Sequence, residues 1–174
     1  MKTLILGGVR SGKSRLAESL AARSGKPVTY IATAAAGDGE MRERIAAHRA
    51  RRAPGWTVIE EPIRLGAVLE THGANGAFML VDCLTLWLTN LLVAADEAQF
   101  ARERDALVSA IERLDGEIAL VSNETGMGIM PLGELTRRFG DEAGRLHQDL
   151  AQRCERVVLT VAGLPTVLKG APIQ

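Results

Sequence analysis

The chain contains few aromatic residues, few cysteines and no net charge. Its 174 residues include three Phe, two Trp, one Tyr and two Cys. Cys83 and Cys154 show no CxxC spacing and have no histidine at the sequence distance of a metal ligand, which argues against a zinc site and a disulfide framework. Such sparse cysteines fit the reducing cytoplasm, where we expect the protein. The equality of 21 Lys+Arg and 21 Asp+Glu argues against a broad nucleic-acid-binding surface.

Long hydrophobic runs are also missing. The apolar stretch before the first glycine pair is only residues 4–6, which is too short for the core of a signal peptide. Residues 78–95 approach the length of about 18 residues that a membrane span needs. Asp82 and Asn90 interrupt this segment, and it divides into a strand followed by a helix. We therefore expect no membrane span.

The absence of net charge conceals two unequal parts. Residues 1–64 hold 12 basic and 6 acidic side chains, a difference of +6. Residues 65–174 hold 9 basic and 15 acidic ones, a difference of −6. This asymmetry predicts an anionic ligand near the N-terminal third of the chain.

Short apolar runs alternate with longer segments of helical periodicity, a pattern typical of an α/β protein with a mainly parallel sheet. A hydrophobic fraction of 47% and a charged fraction of 24% are those of an ordinary globular chain. The predicted strands are 3–6, 28–32, 56–59, 78–82, 118–122 and 157–161. The predicted helices are 13–24, 40–52, 63–72, 84–95, 99–114 and 133–153. No repeat or linker interrupts the pattern, so one domain over residues 1–174 is expected.

Residues 7–14 read Gly-Gly-Val-Arg-Ser-Gly-Lys-Ser and fit the phosphate-binding pattern G-x-x-x-x-G-K-[ST]. They lie between a predicted strand and a predicted helix, where backbone N–H groups and the helix N-terminus can hold phosphate oxygens. Lys13 is expected to contact the β- and γ-phosphates and the Ser14 hydroxyl to bind Mg²⁺, while Arg10 adds positive charge. The predicted fold is therefore α/β, a three-layer P-loop NTPase (RecA-like) fold with a mainly parallel sheet.

Asp82 closes a second apolar strand and is the predicted carboxylate ligand of the metal. Because an unpaired carboxylate is costly to bury, it needs a partner such as Mg²⁺, the water shell of the metal or the Ser14 hydroxyl. The alternative is that Asp82 caps the helix that begins at Leu84.

Residues 40–52 contain five arginines and His48. At helical spacing His48 shares a face with two apolar residues, so one interpretation is a histidine at the edge of an apolar stripe on a basic helix. The other is chemical: nearby guanidinium groups disfavour the protonated imidazole and leave it neutral and nucleophilic. The arginines would then stabilise charge on phosphate oxygens. His72 is expected at a helix end, and His147 at the surface or an interface.

Further segments read Tyr-Ile-Ala-Thr-Ala at 30–34, Ser-Asn-Glu-Thr-Gly-Met-Gly-Ile-Met-Pro at 122–131 and Ala-Gly-Leu-Pro at 162–165. Together with the P-loop and the His48 segment, they resemble the bifunctional adenosylcobinamide kinase/adenosylcobinamide-phosphate guanylyltransferase family of cobalamin biosynthesis. The resemblance covers essentially the whole chain. The remaining matching residues are Glu40-Met41, Arg44-Ile45, Arg138-Phe139, Asp141, Gly144 and Lys169.

The resemblance implies two reactions. ATP or GTP phosphorylates the aminopropanol hydroxyl of adenosylcobinamide. GTP then guanylylates His48 and releases pyrophosphate, and the GMP passes to adenosylcobinamide phosphate to give adenosylcobinamide-GDP. The implied catalytic residues are His48 and Lys13, and the implied metal ligands are Ser14 and Asp82. By matching position, the nucleotide site comprises Gly7, Gly8, Val9, Arg10, Ser11, Gly12, Lys13, Ser14, Ala32, Thr33, Ala34, Arg49, Ala50, Arg51, Arg52, Glu60 and Asp82.

The resemblance also suggests a homo-oligomer, a trimer. With only six aromatic residues, the large amphiphilic corrinoid is expected in a shallow groove or between subunits. Two positions depart from the family pattern: His147 stands where asparagine is usual, and Thr125 where valine is usual. Neither change removes a proposed phosphate or metal ligand.

Two other functions fit the P-loop. A simple small-molecule kinase would use the arginines of residues 42–52 only to stabilise phosphoryl transfer, and His48 would be structural. A nucleotide-dependent interaction module would bind GTP without turning over a corrinoid.

Overall fold

The computed structural model describes residues 1–34, 55–73, 76–129 and 131–173. In chain order, the elements are β1 (Lys2–Gly7), α1 (Lys13–Arg23), β2 (Val28–Ala32), β3 (Thr57–Glu60), α2 (Leu65–His72), β4 (Phe78–Asp82), α3 (Leu84–Ala94), α4 (Glu97–Arg113), β5 (Glu117–Asn123), α5 (Glu134–Arg153), β6 (Arg156–Val161) and β7 (Leu164–Lys169). The predicted helix 40–52 lies outside the described residues.

The strands form one seven-stranded sheet with the order β3-β2-β4-β5-β1-β6-β7. All neighbouring pairs from β3 to β6 are parallel, which confirms the prediction of a mainly parallel sheet. The edge strand β7 runs antiparallel to β6 and is absent from the predicted strands. It escaped prediction because it contains Pro165 and is exposed along most of its length, so it has no buried apolar run.

The two faces of the sheet carry separate cores because successive side chains of a strand point to opposite faces. Leu4 and Leu6 of β1 belong to a large cluster with residues of α2, α3, α4 and α5. Ile5 belongs to a smaller cluster that includes Ala17 and Ala21 of α1. Helices therefore cover both faces, and the predicted three layers are confirmed in the described part of the chain.

Local chemistry explains most element boundaries. The predicted strands 28–32 and 78–82 match β2 and β4. Helix α4 begins two residues before the predicted start because the Asp96 side chain accepts the Gln99 N–H at 2.9 Å and caps the helix. His72 ends α2, as predicted. The segment 78–95 is β4 followed by α3, and no helix among the described residues is long and apolar enough to cross a membrane.

Candidate active site

The carboxyl ends of the parallel strands form the edge along which the described members of the predicted site lie. In the strand register, Gly7 lies opposite Asn123, and Ala32 lies opposite both Asp82 and Glu60. Ligands of open α/β sheets bind outside this edge, because the loops that follow the strands are grouped there. The P-loop, Ala32, Glu60 and Asp82 thus lie along the same edge of the sheet.

The P-loop links β1 to α1. Its backbone bends through positive φ angles at Gly7 (153°), Arg10 (56°) and Gly12 (101°). Gly12 is the N-cap residue of α1, no side chain caps the helix, and the first turn contains no acidic residue. No side chain of this turn therefore competes with an anion for the helix N-terminus.

Lys13 lies inside the loop. The residue is buried, and its Nζ donates to the Gly8 carbonyl at 2.6 Å and to Ser11 Oγ at 3.5 Å. Burial lowers the pKa of the Lys13 ammonium, and the nearby Cys83 and Asp82 oppose this shift. The ammonium is thus enclosed by the loop and near Asp82, where a nucleotide phosphate could replace its backbone partner.

The hairpin between β6 and β7 supports the P-loop. Gly163 in the hairpin turn donates its N–H to the Ser11 carbonyl at 2.8 Å. On β6, Thr160 lies opposite Gly7, and a Cβ at Gly7 would be 2.3 Å from the Thr160 carbonyl oxygen. Only glycine therefore fits at the start of the loop.

Asp82 binds a tyrosine hydroxyl rather than a helix end. Tyr30 of β2 donates its hydroxyl to Asp82 Oδ2 at 3.0 Å, and the Tyr30 ring stacks on Trp56 with centroids 6.3 Å apart. The N-cap residue of α3 is Cys83, with no side-chain capping bond. The alternative in which Asp82 caps this helix is therefore wrong.

Thr33 and Asn90 fasten the strand ends beside Asp82. The Thr33 hydroxyl donates to the Cys83 carbonyl at 2.7 Å and accepts the Cys83 N–H at 2.9 Å. Asn90 Nδ2 on α3 donates to the Thr33 carbonyl at 2.9 Å and to the Pro62 carbonyl at 3.1 Å. The predicted nucleotide segment 32–34 is thereby held against the ends of β3 and β4.

Not every predicted site residue is buried at this edge, and five of them lie outside the described residues. Val9 is exposed at the tip of the P-loop, and Glu60 is exposed at the end of edge strand β3. The predicted nucleophile and its basic neighbours lie outside the described residues; they are His48, Arg49, Ala50, Arg51 and Arg52.

The prediction that His147 lies at the surface or an interface is wrong within this chain. The residue is buried on α5 and hydrogen-bonds Ser122 at the end of β5. Ser122, Asn123 and Glu124 also lie at the carboxyl edge of the sheet, beside the P-loop, and the sequence analysis did not place them there. The available signal was three polar residues directly after an apolar strand, next to the P-loop strand in the sheet.

The residues near the P-loop suit a hard metal ion. Ser14 offers a hydroxyl and Asp82 a carboxylate, and Mg²⁺ prefers such oxygen ligands. Within the described ranges, no group of three or more His, Cys, Asp or Glu could hold a metal ion. Two protein oxygens fit an Mg²⁺ that keeps waters and binds together with nucleotide phosphates.

Comparisons with known proteins identify the family of the chain. Residues 3–168 match the family model of cobinamide kinase / cobinamide phosphate guanyltransferase. The chain is 62% identical over 173 residues to the bifunctional adenosylcobalamin biosynthesis protein CobP of Pseudomonas aeruginosa, covering 99% of this chain and 100% of the relative. It is 37% identical over 182 residues to the bifunctional adenosylcobalamin biosynthesis protein CobU of Escherichia coli, covering 97% and 100%.

Among solved structures, the one titled "Structural study of Project ID PH0250 from Pyrococcus horikoshii OT3" is similar to this chain, with a TM-score of 0.57 and 8% sequence identity. The match covers 98% of this chain and 87% of the other. This likeness concerns the fold alone. The RadB recombinase is similar with a TM-score of 0.49 and 18% identity, covering 91% and 73%. The sequence match over nearly the full length decides the family: the chain belongs to the bifunctional cobinamide kinase / cobinamide phosphate guanyltransferase family of adenosylcobalamin biosynthesis.

Proposed function

We propose that both reactions of the family take place at the carboxyl edge of this sheet, with the triphosphate of ATP or GTP held by the P-loop. The observation that supports this most directly is the enclosed ammonium of Lys13, bonded to Gly8 and near Asp82. A triphosphate that displaces the Gly8 carbonyl from Nζ would gain a charge-assisted bond in its place.

In the kinase reaction, the chain binds the nucleotide and stabilises charge on its phosphates. Lys13 and Arg10 approach the triphosphate from the loop, and the N-terminus of α1 faces it with its partial positive charge. Ser14 and Asp82 would hold Mg²⁺, which supplies charge neutralisation on the phosphates when bound. The γ-phosphoryl group is then transferred to the aminopropanol hydroxyl of adenosylcobinamide.

In the guanylyltransferase reaction, His48 is the nucleophile. A neutral imidazole nitrogen forms a bond to the α-phosphorus of GTP while the bond to the bridging oxygen breaks and pyrophosphate leaves. The arginines at 49, 51 and 52 would stabilise charge on the α-phosphate oxygens. A phosphate oxygen of adenosylcobinamide phosphate next attacks the same phosphorus and frees His48.

The assembly and location proposed from the sequence extend this assignment. We propose a homo-oligomer, a trimer, whose substrates are small molecules and not nucleic acid. Both cysteines, Cys83 and Cys154, are free thiols. Free thiols are compatible with the proposed cytoplasmic location.

Labelling with GTP that carries the label at the α-phosphate tests the covalent step. The wild-type protein should acquire a label that is stable to base and lost in acid, as expected of a phosphorus–nitrogen bond to histidine. His48→Ala should abolish this label and retain part of the phosphorylation of adenosylcobinamide. His72→Ala, which changes a histidine at the end of α2, is the matched control and should be labelled as the wild type is.

Three results would contradict the proposal. A label that persists in His48→Ala would assign the nucleophile elsewhere. Equal loss of both activities in that variant would contradict separate roles for His48 and the P-loop. Nucleotide binding without adenosylcobinamide-GDP formation would leave an interaction module as the function.

A further inference from the structure

His147 is buried next to the carboxyl end of β5, although the mechanism above gives it no role. Its exposed fraction is 7%, and it shares the buried face of α5 with Leu146 and Leu150. Its Nε2 lies 2.8 Å from Ser122 Oγ, and its Nδ1 lies 3.8 Å from Glu124 Oε2. Both ring nitrogens therefore face the end of β5, where a buried polar ring finds its partners.

The neighbours of the ring identify its tautomer. A bare Nδ1 would turn its lone pair toward the Glu124 carboxylate, so Nδ1 must carry the proton. Nε2 is then an acceptor, and the Ser122 hydroxyl donates to it. A lone pair of Ser122 remains for the Thr85 hydroxyl at 3.4 Å, and Thr85 Oγ1 accepts the Asn123 N–H at 2.7 Å.

Burial favours the same neutral ring. Desolvation lowers the pKa of the His147 imidazole, and the nearby Glu124 carboxylate opposes this shift only in part. A neutral ring with its proton on Nδ1 donates toward Glu124 and accepts from Ser122. The donors therefore run from the Ser122 hydroxyl to the His147 ring and from the ring toward the Glu124 carboxylate.

Two hydrogen bonds hold Glu124 beside the P-loop, and its second carboxylate oxygen faces His147. Its backbone N–H donates to the Gly7 carbonyl at 3.0 Å, which joins it to the start of the loop. Its Oε1 accepts the Gly126 N–H at 2.8 Å, and its Oε2 faces His147. The side chain is partly exposed, at 20%, so its carboxylate can be reached from solvent.

The order of the strands gives this carboxylate its significance. β5 lies between β1, which leads into the P-loop, and β4, which ends at Asp82. A residue that follows β5 therefore emerges between the triphosphate-binding loop and the proposed metal ligand. An acceptor substrate must approach the γ-phosphate at this edge.

We propose that Glu124 takes the proton of the substrate hydroxyl in the kinase reaction and that His147 is the positioning residue that orients its carboxylate. This inference rests on the kinase reaction proposed above. The hydroxyl oxygen forms a bond to the γ-phosphorus, and the bond from that phosphorus to the bridging oxygen breaks. The nucleoside diphosphate leaves with the electron pair, and the proton moves to Glu124.

The two reactions of this chain provide an internal control. The kinase reaction consumes a neutral hydroxyl and must release a proton, whereas the guanylylated histidine forms from a neutral imidazole nitrogen that carries no proton to lose. The second acceptor is a phosphate that is already ionised. Glu124 should therefore matter for phosphorylation and not for guanylylation, a separation that a purely structural residue would not produce.

Glu124→Gln tests the carboxylate while preserving an acceptor for the Gly126 N–H. Phosphorylation of adenosylcobinamide by a triphosphate labelled at the γ-phosphate should fall by about 10²–10⁴-fold in kcat, the contribution of a general base. Labelling from α-labelled GTP should stay near the wild-type rate. The matched control Glu134→Gln changes an exposed carboxylate at the start of α5 and should leave both rates unchanged.

Glu124→Ala supplies a second measurement that does not depend on the glutamine. Added formate should restore part of the kinase rate in this variant and should not change the rate of guanylylation. Absence of rescue in a folded protein that still forms the guanylylated enzyme would overturn the proposal, as would equal loss of both reactions in Glu124→Gln or an unchanged kinase rate. A wild-type enzyme that does not phosphorylate adenosylcobinamide would instead contradict the proposed function itself.

Two substitutions of His147 test the positioning role. His147→Leu removes both polar contacts and should lower the kinase kcat about 10-fold, as loss of a group that orients a functional side chain does. His147→Asn places an amide N–H near the position of Nδ1, from which it can donate toward Glu124, so it should recover part of this loss. KM for the nucleotide should change little in both. Equal kinase rates for leucine and asparagine would overturn the role of His147.

Discussion

The neighbouring ends of β1 and β5 form one edge of the sheet in different ways. The P-loop after β1 presents backbone N–H groups and one ammonium, and residues 7–14 are contiguous in sequence. The end of β5 depends on groups from three other elements: the side chains of Thr85 of α3 and His147 of α5, and the backbone carbonyl of Gly7 of β1. The first is a local motif, and the second exists only after the helices have packed.

This difference predicts which substitutions affect both reactions and which affect one. Loss of a P-loop group should impair every step that uses a triphosphate. Loss of a group at the end of β5 should alter the geometry of the acceptor and leave the nucleotide in place. The following experiments separate the two regions, beginning with the largest expected effect.

Lys13→Ala should lower the rates of phosphorylation and of guanylylation by about 10²–10³-fold, because an electrostatic contact to the transferring phosphate is lost. Steady-state kinetics of each reaction measure this effect. Lys26→Ala is the control: this exposed lysine forms a surface ion pair with Glu117 at 3.3 Å, and such pairs contribute little. A defect limited to one reaction would show that the P-loop does not serve both.

Gly7→Ala should destabilise the whole fold. The added Cβ would be 2.3 Å from the Thr160 carbonyl oxygen and 2.6 Å from Ser11 Oγ, at a φ of 153°. Overpacking costs about 1–3 kcal/mol, and strained φ adds a similar amount. Thermal unfolding should show a Tm lowered by several degrees.

Gly8→Ala is the matched control for that stability measurement. A Cβ at Gly8 would meet no atom within 4 Å, so its Tm should stay near the wild-type value. Equal Tm values for the two variants would show that the support of the P-loop by β6 is unimportant.

Thr85→Val should destabilise the end of β5. It removes the acceptor of the Asn123 N–H and a partner of Ser122 Oγ, both partly buried, at a cost of about 1 kcal/mol for the lost hydrogen bond. Chemical denaturation measures the loss. Thr89→Val lies one turn later on α3, where the exposed hydroxyl donates to the backbone carbonyl of Thr85 in the same helix, and it should cost much less.

The smallest effect is the dependence of stability on pH through His147. Burial lowers its pKa in the folded state below the usual 6.5, so the unfolded chain binds a proton first as pH falls. The contribution of His147 is fully present above pH 6.5 and is lost as pH falls toward the lowered value. Between pH 7.5 and 5.5, Tm should therefore fall more in the wild type than in His147→Asn. Parallel curves would contradict a neutral buried ring.

Local pattern predicted the elements well where a buried face or a cap determines them. The strands 28–32 and 78–82 match because each is apolar on both faces of a covered sheet. β7 was missed because an exposed edge strand has no apolar signature. The position of His147 was mispredicted because a histidine on an amphipathic helix gives no sign of which partners the buried face will meet.

The sequence by itself determined the P-loop, the strand that ends at Asp82, the alternation of strands and helices, and the family, because each depends on contiguous residues or on overall similarity. Only the tertiary structure decided that Tyr30 is the partner of Asp82 and that His147, Ser122 and Glu124 meet beside Gly7. These residues are distant along the chain, and their contacts follow from the strand order and from the packing of α5 against the sheet. A motif depends on local geometry, whereas contacts among β1, β5 and α5 are specified only by the packing of the whole core.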